Sequence, residues 1–150
     1  MDTPSLMTKK VEHGFYIEDL EIGMMREVSH TVSEQDVADF ARISGDYNPL
    51  HMDEEYAKTT PFGGRIAHGA LTASYISAIL GNDLPGPGAV FTTLELKFRA
   101  PVRIGDTVLA RATVEDINVR RRQVTLDVRC LVGETVIAKG KAGVMVDARP

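Results

Sequence analysis

The stretch HGALTASYISAILG, residues 68–81, decides the fold. Leu71, Tyr75, Ile76, Ile79 and Leu80 recur at helical spacing, with His68-Gly69 at the entry and Gly81 near the end. Ala70, Ala73, Ser74, Ser77 and Ala78 fill much of the rest, so no face carries charge. A helix of this composition is expected to be buried on most sides, and some other part of the chain must wrap it.

The wrapper lies downstream. Val90, Thr92, Leu94, Leu96 and Phe98 alternate with Thr93, Glu95, Lys97 and Arg99. Val108, Ala110, Ala112 and Val114 repeat the alternation, as do Val124, Leu126, Val128 and Cys130, and then Val136, Ala138, Ala142 and Val144. Period two over four segments predicts half-buried strands. Gly105-Asp106 and Gly133-Glu134 mark turns, and such short connections require antiparallel neighbours. A mostly antiparallel sheet curled around one helix is an α+β hot-dog architecture.

Upstream, a strand is expected around Met24 to Val32. Ser33 followed by Glu34, Gln35 and Asp36 then reads as a capping-box-like start for a helix with Val37, Phe40 and Ala41 on its apolar side, stopped by Gly45. From Asp46 to Arg65, Asn48-Pro49, Pro61 and Gly63-Gly64 predict loop with at most a short helical turn.

The whole chain fits one domain over residues 15–150 behind a flexible segment at 1–14. No apolar run approaches the roughly 20 residues of a membrane span, and no secretory signal is visible, so a cytoplasmic protein is expected. A net charge of -4 argues against wholesale nucleic-acid binding. Arg120, Arg121 and Arg122 read as a solvated hairpin tip, with contact to an anionic ligand tail as the alternative. Cys130 has no partner for an internal disulfide and sits where a buried small hydrophobe belongs.

Chemistry concentrates in SGDYNPLHMDEEYAKTTPFGGRIAHG, residues 44–69. Asp46 and His51 are separated by Pro49, so they meet through a loop rather than along a regular helix, and such a loop can hold a carboxylate and an imidazole for acid/base work on a water. Spacing alone also permits a turn-capping aspartate and a surface histidine. Asp46, Asn48, His51 and Asp53 resemble a ligand cluster, but His51 and Ala57 stand where an EF-hand needs glycine and glutamate, and zinc spacings do not match, so no metal is expected. Gly69 permits close approach to its N–H at the positive end of a helix, an arrangement suited to an oxyanion. Ser77, two turns on, lies close to that face.

SGDYNPLH, RIAHG at a helix start and FRAPVRIGDTV together closely resemble the MaoC-like hydratases, particularly the single-domain (R)-specific enoyl-CoA hydratases, over roughly Phe15 to Val146. The resemblance implies a hot-dog homodimer in which Asp46 and His51 are the catalytic pair and Gly69 N–H binds the thioester. It further places Ser77 in the active-site hydrogen-bond network and matches Asn48 to the motif asparagine. An acyl-CoA thioester is the implied substrate, with CoA as part of it and no separate cofactor. The alternatives are a 3-hydroxyacyl carrier-protein dehydratase, an acyl-CoA thioesterase on the same fold, and a non-catalytic thioester-binding module. A curved sheet with an unpaired edge is a second reason to expect a homodimer.

Overall fold

The computed structural model describes residues 11–150. The expected flexible segment thus lies outside the described residues except for its last four, of which Gly14 donates to Pro87 O at 2.9 Å and His13 stacks on Tyr16.

After a single 3-10 turn at Ile17–Asp19 come strand β1 (Met25–Thr31) and helix α1 (Glu34–Ser44). The Ser33 reading holds. Its hydroxyl accepts from Asp36 N–H and the Asp36 carboxylate accepts from Ser33 N–H, both at 3.0 Å, which satisfies two of the donors a helix start leaves free. Gly45 closes α1 at φ 81°, a left-handed conformation that favours glycine. The segment expected to be loop carries two one-turn helices, α2 (Pro49–Met52) and α3 (Glu54–Ala57), each capped by the side chain before it. Helix α4 (Gly69–Asn82) follows, then β2 (Val90–Phe98), β3 (Thr107–Asn118), β4 (Gln123–Val132) and β5 (Thr135–Met145).

The five strands form one antiparallel sheet in the order β1-β3-β4-β5-β2. The turn at Gly133 joins the neighbours β4 and β5 as expected, whereas Gly105 lies on the connection from β2 to β3, which are not neighbours because β2 pairs with β5 at the far edge. Val108, Ala110, Ala112 and Val114 of β3 and Val124, Leu126, Val128 and Cys130 of β4 all face the core. They meet Leu71, Tyr75, Ile76, Ile79 and Leu80 of α4. Each large aliphatic side chain buried there contributes roughly 1.5–3 kcal/mol. Arg120, Arg121 and Arg122 form the exposed β3–β4 turn.

Three further expectations need correction. Helix α4 is covered on one side only, because the sheet meets its stripe of large residues and leaves Ala70, Ser74, Ser77 and Ala78 exposed. Strand β2 is not half-buried. It is a sheet edge, only Leu96 is partly covered, and Val90, Phe91, Leu94 and Phe98 stand open to solvent. In β5 the alternation slips at an irregularity opposite Cys130 and Leu131, so Ile137 points inward and Val136 is only half-buried.

Candidate active site

The turn after α1 delivers the acid group. Gly45 reverses the chain, Asp46 N–H donates to Ser44 Oγ at 3.1 Å, and Asp46 Oδ1 accepts from Asn48 N–H at 3.1 Å. Asn48 Oδ1 then accepts from Leu50 N–H at 3.0 Å with Pro49 in the first helical turn, which starts α2. The carboxamide of Asn48 is therefore an N-cap that sets where His51 falls. Asp53 caps α3 in the same way through Tyr56 N–H, at 3.2 Å.

His51 is only 8% exposed. Its Nδ1 lies 2.8 Å from Ile66 O, and a carbonyl can only accept, so Nδ1 carries a hydrogen and the neutral ring has its lone pair on Nε2. The acceptor is itself anchored: Ala67 N–H donates to Val102 O at 2.7 Å, and Ile66 bridges to Arg103. Arg65 holds the other side, donating from Nε to His51 O at 2.6 Å while Nη1 meets both oxygens of Glu34 at 2.5 and 2.9 Å.

His68, 1% exposed, is the residue whose part the sequence does not disclose. Its Nε2 donates to Asp46 O at 3.0 Å, and its ring lies 4.1 Å from that of His51 and 4.9 Å from that of Phe40. Asp46, His51 and His68 each bring a ligand-capable atom within 4.8 Å of the others. The sequence pairing of Asp46 with His51 is thus a spatial one. Among the described residues this triplet is also where a cation could be held, without Asn48 or Asp53, whose side chains are used as caps.

Beside this cluster opens a cavity of about 400 Å3, lined by His51, Gly69, Thr72, Phe62, Phe98 and Val102 among others. Gly69 is the first residue of α4, so helix geometry leaves its N–H without a partner inside the helix. An ideal Cβ there would come 3.2 Å from the Phe98 ring, so the glycine keeps the cavity open at the helix entry. Ser77 is exposed on the uncovered side of α4 and lies outside this lining in the single chain. Tyr75, Leu80 and Leu84 belong to the core. The apolar wall of the cavity comes from Phe62, Phe98 and Val102. The signal for two of them is the FRAPVR run, which starts at the last residue of β2 and whose Pro101 cannot continue a strand ladder.

Residues 20–135 match the MaoC like domain. The chain is 49% identical over 134 residues to an (R)-specific enoyl-CoA hydratase of Rhodospirillum rubrum, covering 89% of this chain and 93% of that protein. The chain belongs to the MaoC-like dehydratase family. A 3-hydroxybutyryl-CoA dehydratase of Methylorubrum extorquens is 50% identical over 131 residues, or 87% of this MaoC-like chain and 83% of the relative. Among solved structures, the (R)-hydratase from Aeromonas caviae involved in polyhydroxyalkanoate (PHA) biosynthesis superposes with a TM-score of 0.83 at 37% identity, over 86% of this chain and 98% of that one. The shared architecture is the hot-dog fold.

Proposed function

We propose that this MaoC-like protein is an (R)-specific enoyl-CoA hydratase, a hydro-lyase that adds water reversibly to a trans-2-enoyl-CoA to give the (R)-3-hydroxyacyl-CoA. The observation that carries the reading is that His51 and Gly69 line one cavity while the Asp46 carboxylate stands beside the His51 ring. Gly69 N–H stands free at a helix start, His51 presents Nε2, and the Asp46 carboxylate lies within 4.8 Å of the imidazole. The relatives named for this chemistry supply the substrate class and the stereochemistry.

In this reading Gly69 N–H donates to the thioester carbonyl oxygen, where enolate charge grows as water attacks C3. The new C3–O bond forms, the C2–C3 π pair moves toward the carbonyl, and the Asp46–His51 pair takes one proton from the water. The pair returns one proton to C2, which regenerates the site. The two groups act as a coupled unit, so the proton is assigned to the pair. The hydrogen bond to Ile66 O keeps His51 Nε2 available for that traffic. CoA enters as part of the substrate, and hydration changes no net oxidation state, so this chemistry calls for no redox cofactor.

The same reading takes the protein as a homodimer. Its support is the open β2 edge with Val90, Phe91, Leu94 and Phe98, next to the small exposed residues of α4.

The deciding assay uses crotonyl-CoA. Loss of the conjugated-enoyl absorbance without release of free thiol, with chiral analysis returning the (R)-3-hydroxy product, is the expected result. Stoichiometric free thiol would make the protein a thioesterase instead, and turnover confined to carrier-protein thioesters would replace CoA in the reading.

A further inference from the structure

We propose that His68 is a positioning residue for this site: its Nε2–H fixes the Asp46 backbone while its ring backs the His51 imidazole, so that carboxylate, imidazole and Gly69 N–H share one geometry. The proposal rests on the hydratase reading of Asp46, His51 and Gly69.

The polar atoms of His68 are only half satisfied. A histidine kept in a core for structural reasons satisfies both ring nitrogens, since a buried polar atom without a partner is costly. His68 is 1% exposed and uses only one of them. Nδ1 is buried with no hydrogen-bond partner. A phenylalanine or leucine would fill the same space without that cost, so the feature a histidine adds here is the bond from Nε2 to Asp46 O at 3.0 Å.

That bond is placed where it matters for the acid group. The other bonds around Asp46 are local, to Ser44 Oγ and Asn48 N, each two residues away. They shape the turn but do not tie it to the helix that carries Gly69. His68 does, across 22 residues of sequence, and Gly69 is its chain neighbour. Its ring, 4.1 Å from that of His51, closes the third side. Because Nε2–H points to a carbonyl, the bond selects the Nε2–H tautomer and leaves Nδ1 as an acceptor. His68 is buried behind Asp46 and His51, so it acts through these neighbours and not on substrate.

The test compares His68→Phe, which keeps a ring but removes the donor, with His68→Gln, whose side-chain N–H reaches the Nε2 position. His68→Asn serves as a second control, because its shorter amide places the N–H near Nδ1, out of reach of Asp46 O. With crotonyl-CoA, His68→Phe and His68→Asn are expected to lose about 10- to 100-fold in kcat with KM changed little, the range for a misplaced catalytic group. His68→Gln is expected to return most of that loss. In the resting wild-type protein, nitrogen-15 NMR is expected to show His68 as the Nε2–H tautomer. Equal losses in folded His68→Gln and His68→Asn, full kcat in His68→Phe, or an Nδ1–H tautomer would each overturn the proposal. Asp46→Asn and His51→Ala run alongside: retained turnover there sinks the underlying reading, whereas their loss combined with full activity of His68→Phe sinks this one alone.

Discussion

Asp46→Asn removes a base and His51→Ala removes the Nε2 lone pair, and each is expected to lower hydration by at least about a hundredfold while circular dichroism stays native. Asp46 is exposed, and His51, though buried, lies outside the hydrophobic cluster that holds the sheet to α4, so both variants are expected to keep the fold. The double variant should fall little below the worse single one, as expected for groups acting as a unit. Gly69 tests the oxyanion separately. Gly69→Pro deletes the N–H at the first helical position, where proline is tolerated, and should cost about 100- to 1,000-fold in kcat. Gly69→Ala keeps the N–H but brings a methyl 3.2 Å from the Phe98 ring. Because that ring is 54% exposed it can swing aside, so the alanine variant should lose far less turnover than the proline one. Equal losses in the two folded variants would assign the effect to crowding.

At the scale of elements, the seam between β4 and α4 carries a pH signature. Cys130 faces α4 from β4, with Sγ 3.9 Å from Thr72 O, and burial pushes its thiol up from 9.0 to about 11. On unfolding the thiol meets water and ionises near pH 9, so between pH 9 and 11 the unfolded chain binds fewer protons than the native one. Stability therefore falls as pH rises through that window, by about 2–3 kcal/mol for this group. Tyr75, pushed to about 12 by burial and then by the charges of Asp36 and Cys130, adds a loss of the same sign at still higher pH. Urea melts of wild type and Cys130→Ala at pH 8, 9, 10 and 11 check this. The wild-type curve should drop more steeply, and parallel curves would remove Cys130 from the account.

For the whole molecule, the open edge and the one-sided helix belong together. β2 exposes Val90, Phe91, Leu94 and Phe98 along an unpaired edge, and α4 leaves Ala70, Ser74, Ser77 and Ala78 uncovered beside it. Two-fold pairing would cover both surfaces with one operation. Light scattering at micromolar concentration is expected to give the mass of two chains, and Leu94→Lys, which places a charge on the edge, should shift the population toward one. A fully active wild-type monomer would contradict the dimer. No helix among the described residues is long and apolar enough to cross a membrane, so these exposed residues are not explained by a helical span.

Sequence by itself determined what a few neighbouring residues can encode. The Ser33–Asp36 box and Gly45 bound α1, the alternation in β3 and β4 told inside from outside, and the spacing of Leu71 to Leu80 gave the buried stripe of α4. The pairing of Asp46 with His51 was one of two readings that the spacing allowed, and the resemblance to the MaoC-like hydratases selected it; the turn that Asn48 and Pro49 shape brings the two together. Tertiary structure alone decided which faces find a cover. The same period-two pattern is buried in β3 and exposed in β2, since coverage depends on sheet order, and the β5 slip arises from its pairing with β4. It also decided the cavity, whose wall joins Phe62, Phe98, Val102 and Ile137, and the approach of His68 to Asp46. Apart from Phe98 and Val102, the residues that meet there are 22 or more positions apart, and no local periodicity records a contact that exists only once β2, β5 and the entry of α4 have packed.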